Sequence, residues 1–128
     1  YLDNQCLSVV IELCNVSLDT QIKVKDSGCR CASSIANPFK VIYDVCAALS
    51  YMHRFNCIHR DIKPANILLV GQSKDNFHDC KTKICDFGTS KFIFEGVLPT
   101  YDPSHTPGYI CDFAKNGEKV GSFTDVFS

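Results

Sequence analysis

Apolar and polar positions alternate along this chain with changing rhythm. Leu7-Ser8-Val9-Val10-Ile11-Glu12-Leu13 is β-branched and nearly continuous, which predicts a largely buried strand. Cys14 to Asp19 has the character of a turn or helix start, and Lys23 to Asn37, polar with Gly and Ser, reads as a loop. Pro38 suits the first position of a helix. From there Phe39, Ile42, Val45, Cys46, Leu49, Met52 and His53 recur at three- and four-residue steps. That spacing predicts a helix over Pro38–Phe55 of about four to five turns, burying that face. Two short apolar runs, Ile67–Val70 and Thr82–Cys85, read as strands joined by a long polar excursion, Gly71 to Lys81. Thr89 to His105, with Gly96, Pro99 and Pro103, has no sustained period and reads as loop. Val126-Phe127-Ser128 looks like the opening of another helix.

At 128 residues the chain has the length of one ordinary domain. Tyr1 is no initiator and the only methionine is Met52, so we expect a piece of a longer protein. A net charge of −1 with 21% charged residues offers no electrostatic footprint for nucleic acid or a membrane surface. The longest apolar run, Val9 to Cys14, is broken by Glu12 and far too short to span a bilayer. Nine cysteines, about 7% of the chain, fall just under the range of a disulfide scaffold. Their odd number and scattered spacing suggest free thiols in a reducing, intracellular and cytoplasmic setting. Only Cys29-x-Cys31 is close, without a second pair to complete a zinc site.

One polar loop stands out between the helix and the first short strand: Cys57-Ile-His-Arg-Asp-Ile-Lys-Pro-Ala-Asn-Ile-Leu-Leu69. It holds an acid, a base and an amide at fixed offsets, Asp61, Lys63 and Asn66, and Asp86-Phe87-Gly88 follows the second strand. Two oxygen donors, Asn66 and Asp86, therefore flank one β-hairpin. His59-Arg60-Asp61 with Asn66, and Asp86-Phe87-Gly88 downstream, resemble the catalytic loop and metal-binding turn of the eukaryotic protein kinase family.

That resemblance implies an α+β, partial protein-kinase-like fold, mainly the helical large lobe with a short β-hairpin around the catalytic loop. Residues 1–19 would be the last small-lobe strand and hinge, and 20–128 large-lobe structure with the activation segment. It implies ATP and Mg²⁺ as partners of the site and a protein Ser/Thr hydroxyl as acceptor. Asp61 would orient the hydroxyl and accept its proton, while Lys63 would neutralise the γ-phosphate. Asn66 and Asp86 would hold Mg²⁺ through oxygen. Gly88 would supply the turn that points Asp86 inward. Leu68 would lie under adenine, Ile11 would be the gatekeeper, and Glu12 and Cys14 would offer backbone groups to the base. Phe87 and His59 would pack in a regulatory stack, and Arg60 would receive an activation-loop phosphate. Asp125 resembles the family's buried aspartate that braces the catalytic loop.

Asp61-Ile62-Lys63-Pro64-Ala65-Asn66 and Thr106 favour the serine/threonine class. Asp86-Phe87-Gly88-Thr89-Ser90-Lys91 looks most like the tyrosine-kinase-like or MAP-kinase-kinase-kinase groups. Thr100, Tyr101 and Ser104 are candidate phosphosites by position. The sequence departs from the family in two places. It holds neither a Gly-x-Gly-x-x-Gly loop nor a strand lysine in a Val-Ala-Ile-Lys setting, so this piece alone should transfer nothing. Cys111-Asp112-Phe113 stands where the family has Ala-Pro-Glu. One rival reading is a pseudokinase or scaffolding module that binds partners without phosphotransfer; a second is a cysteine-based metal or redox module. Cys85 is either a buried core thiol or a reactive one near ATP. His53, His78 and His105 lack ligand-like spacing and read as structural or solvated.

Overall fold

The computed structural model describes residues 2–3, 6–7, 9–26, 36–71, 79–94, 108–109 and 121–128. Strands β1 (Leu2–Asp3) and β2 (Cys6–Leu7) form a small antiparallel ribbon. The central sheet has three antiparallel strands in the order β3 (Val16–Ser17), β5 (Ile67–Val70), β6 (Lys81–Ile84). A second ribbon pairs β4 (Cys57–Ile58) with β7 (Lys91–Phe92), Cys57 opposite Phe92. The helices are α1 (Leu18–Asp26), α2 (Pro38–Arg54) and α3 (Ser122–Phe127). This is the expected α+β mixture, with β3 and the β4–β7 ribbon added to the expected hairpin.

Helix α2 begins where Asn37 accepts the Phe39 amide on its side chain and Pro38 supplies the first turn. It ends because Asn56 adopts φ 53°, a left-handed conformation that asparagine tolerates. The buried face is the expected one only in part: Leu49 is buried and Val45, Met52 and His53 half-buried, but the first turns are rotated. Val41 and Leu49 are buried and Val45 half-buried, whereas Phe39 and Ile42 are 81% and 60% exposed and Cys46 is exposed too. The helix carries two apolar stripes, and a polar residue between them decides which one packs. Asp44 accepts the Thr82 amide of β6 at 3.1 Å, which turns Val41 and Val45 onto the sheet. There they meet Ile67 and Leu69, with Ala36 and Cys80 closing the cluster. Leu69 is fully buried, worth about 2 kcal/mol of apolar transfer.

Two further expectations are corrected. Residues 9–14 form no strand, and Val9, Val10, Ile11 and Leu13 are 76–92% exposed. Strand propensity is realised only against a neighbouring strand, and among the described residues none lies beside 9–14. The loop expected from Lys23 begins later, because α1 runs through Asp26. Ser17 Oγ accepts the Thr20 amide at its start and Lys23 pairs with Asp19 one turn back, both favouring continued helix.

Candidate active site

The polar loop after β4 is held from three sides. His59 and Arg60 donate their backbone N–H groups to the Asp125 carboxylate at 2.9 and 2.7 Å. His53 Nε2 donates to the same carboxylate at 2.8 Å, and the Asp125 side chain is wholly buried. Arg60 sits at φ 73°, an unfavourable region for a residue with a Cβ. The two amide bonds to Asp125 hold it there, and such backbone strain concentrates at functional sites. The histidine ring fixes the next residue. His59 Nε2 donates to the Cys85 carbonyl at 3.0 Å, so Nδ1 is the acceptor that meets the Asp61 amide at 3.3 Å. Thr89 and Ser90 donate their hydroxyls to the His59 carbonyl.

On this support Asp61, Lys63 and Asn66 converge. Lys63 Nζ lies 2.7 Å from Asp61 Oδ2, and Asn66 Nδ2 donates to the same oxygen at 2.9 Å and to the Asp61 carbonyl at 2.8 Å. The amide nitrogen of Asn66 is thus committed inward, which turns its oxygen to other use. A 3₁₀ turn, Pro64–Asn66, makes this approach possible and feeds straight into β5. The Cys85 amide donates to the Asn66 carbonyl at 3.0 Å. The β5–β6 ladder pairs Ile67 with Ile84, and the Cys85–Asn66 bond carries it one step further, so that Asp86 follows in the chain directly after that bond.

The Asp86 turn differs from expectation. Asp86 itself takes the left-handed backbone, φ 66° and ψ 71°, and Gly88 lies in the 3₁₀ turn Phe87–Thr89. Gly88 matters for space: a Cβ there would stand 3.2 Å from Asp86 Oδ1, which already accepts the Gly88 amide at 3.4 Å. The Asp86 side chain is exposed instead of inward-pointing. Phe87 meets the His59 ring edge-on with centroids 5.2 Å apart. Burial pushes the Cys85 thiol up, with the Asp86 carboxylate adding to the effect, which disfavours a reactive thiolate.

Ile11, Glu12, Cys14 and Leu68, four sequence-selected residues, line one cavity of about 380 Å³ together with Ser17. Cavities of this size accommodate small ligands. Arg60 is buried. His53, read as structural or solvated, braces Asp125; the partner lies 72 positions away, beyond any local pattern. Cys29, Cys31, His78, Thr100, Tyr101, Ser104, His105, Thr106 and Cys111-Asp112-Phe113 lie outside the described residues. Among the described residues, no group of three or more His, Cys, Asp or Glu side chains could hold a metal ion. A pair of oxygen donors such as Asn66 and Asp86 suits a hard cation that keeps further ligands from water and phosphate.

Comparison with known proteins points to one family. The family model described as the protein kinase domain matches residues 1–128. The chain is 30% identical over its whole length to the fruit fly Drosophila melanogaster MAP kinase-activated protein kinase 2, covering 34% of that protein. It is 35% identical, again over its whole length, to the fission yeast Schizosaccharomyces pombe MAP kinase kinase skh1/pek1, covering 33% of it. Over 88 residues, 69% of the chain, it is 38% identical to the Caenorhabditis briggsae calcium/calmodulin-dependent protein kinase type 1, covering 23% of that protein. The chain therefore spans about a quarter to a third of the length of these relatives. With the family's loop and turn present and its model matched from end to end, the chain belongs to the protein kinase domain family.

Proposed function

We propose that this chain is part of a serine/threonine protein kinase that moves the γ-phosphate of ATP to a protein hydroxyl. One observation carries the reading: a buried Asp61 whose carboxylate is gripped by Lys63 and Asn66, with Asp86 next in the chain after the Cys85 amide that bonds the Asn66 carbonyl. Asp61 accepts the proton of the substrate hydroxyl as its oxygen bonds to the γ-phosphorus and the bond to the β,γ-bridging oxygen breaks. Lys63, a compact charge two residues on, neutralises phosphate oxygen while restraining the carboxylate. Asn66 Oδ1 and Asp86 would hold Mg²⁺, which when bound supplies charge neutralisation between the phosphates. Ile11, Glu12, Cys14 and Leu68 take the adenine side, and Arg60 receives a phosphate from the activation segment. The segment by itself should transfer nothing, since the phosphate-covering loop and its lysine are not among these 128 residues. No helix among the described residues is long and apolar enough to cross a membrane. Use of ATP and the unpaired thiols at Cys14, Cys46, Cys57, Cys80 and Cys85 fit a cytoplasmic setting.

The test is Asp61→Asn in the parent chain that carries this segment. Phosphotransfer should fall by roughly 10²- to 10⁴-fold while Mg-ATP affinity changes little. Wild-type turnover in that variant would remove Asp61 from the proton's path.

A further inference from the structure

Lys83 belongs to no motif, yet its position is singular. It pairs directly with Leu68 in the β5–β6 register, so the two side chains share one sheet face. Leu68 lines the cavity bounded above by residues 11–17. From that face Lys83 Nζ reaches Glu12 Oε2 at 2.6 Å, across 71 positions of sequence. The bond from Glu12 holds the Lys83 ammonium above the ordinary lysine range, with charge attraction adding to it.

The segment it grips is thinly held otherwise. Asn15 donates its amide to the Leu69 carbonyl at 3.1 Å and accepts the Gly71 amide on its side chain at 3.0 Å. Residues 9–14 have no strand partner among the described residues. Among the described residues, Asn15 ties the segment at one end and Glu12 at the other, and Leu13 and Cys14 between them line the cavity with Leu68. The side chains of the pair are 41% and 58% exposed, so its share in global stability is small. Its effect is directional: it decides where the backbone at Glu12 and Cys14 stands.

We propose that Lys83 is a positioning residue for nucleotide binding, setting through Glu12 the posture of the segment that faces adenine. The inference rests on the nucleotide reading of this cavity. It is tested in the parent chain with Lys83→Met, Lys83→Arg and the charge swap Glu12→Lys with Lys83→Glu. Two readouts are needed: hydrogen exchange of the residue 11–14 amides, and KM for ATP separated from kcat. Lys83→Met should speed exchange in 11–14 and raise KM by roughly two- to fivefold, the scale an exposed ion pair carries, with the effect on KM and not on kcat. Lys83→Arg and the swap should restore both. High salt should narrow the gap between wild type and Lys83→Met, as screening dictates. Unchanged exchange and unchanged KM in Lys83→Met, or a change in kcat alone, overturns the proposal. Should the wild-type chain take up no Mg-ATP at all, the nucleotide reading falls, and the exchange rates alone decide whether Lys83 holds the segment.

Discussion

Two regions of this molecule face the same proposed reaction and are built on opposite principles. The loop from Ile58 to Ile62 is buried throughout, and its backbone is bonded to Asp125 and its histidine to Cys85. Residues 9–14 are largely exposed, pair with no described strand and meet the sheet through Glu12 and Asn15. The difference fits what each would do in the proposed reaction. Groups that meet developing charge and a moving proton gain from being fixed beforehand, since a misplacement of about 1 Å can cost 10²-fold. A surface that receives and releases a flat base each cycle gains less from rigidity, and regions of low local stability are where such exchange is accommodated.

The sharpest way to break the contrast is to soften the rigid side. Asp125→Ala strips the acceptor from two buried amides and from His53, so unfolding free energy should drop by about 3–5 kcal/mol. Chemical denaturation of the parent chain measures it, and a loss under about 0.5 kcal/mol would mean that the loop holds itself. Asp86→Ala comes next, because in the proposed reaction its exposed carboxylate would serve the cation and not the fold. Mg-ATP affinity should weaken by at least the roughly 10- to 100-fold that even outer-shell partners are worth, with stability nearly unchanged. Isothermal titration decides it, and equal affinity would free Asp86 of that role.

The smallest expected effect concerns the strut between helix and sheet. Burial alone would raise the Asp44 carboxyl, but bonds from Lys40 and the Thr82 amide outweigh it and hold the group below its ordinary range. A depressed folded value stabilises the protein above the unfolded carboxyl's pKa, and that contribution is lost as pH falls through the folded one. Asp44→Ala should therefore cost about 1 kcal/mol at pH 7, and the penalty should fade below about pH 4. Denaturation midpoints across that range test the sign; a penalty that grows in acid would contradict it.

Much of the rigid region was legible because its signals are local. His59-Arg60-Asp61, Asn66 and the flanking strand Ile67–Val70 lie within 12 consecutive residues, and that strand's bounds are those the pattern predicts. The second strand shifts by one residue to Lys81–Ile84, and the helix ends one residue early at Arg54. What escaped depends on distant partners. The face of α2 is chosen by Asp44 meeting Thr82, and His53 acquires a task only when Asp125 arrives beside it. Residues 9–14 mislead for the opposite reason: their composition suits a strand, but composition brings no neighbour to pair with. At Asp86 the motif suggested glycine as the hinge, whereas the aspartate takes the left-handed turn itself.

The grip of Asp125 on His59 and Arg60 also has a consequence in time. The carboxylate that fixes the loop lies 66 and 65 positions downstream of the amides it binds. On a ribosome adding roughly 5–20 residues per second, the loop waits some 3–13 s after its own synthesis before that clasp exists. Over that interval the left-handed turn at Arg60 lacks its two amide bonds to Asp125, and a nascent chain that stalls short of residue 125 carries the loop with that anchor still unmade.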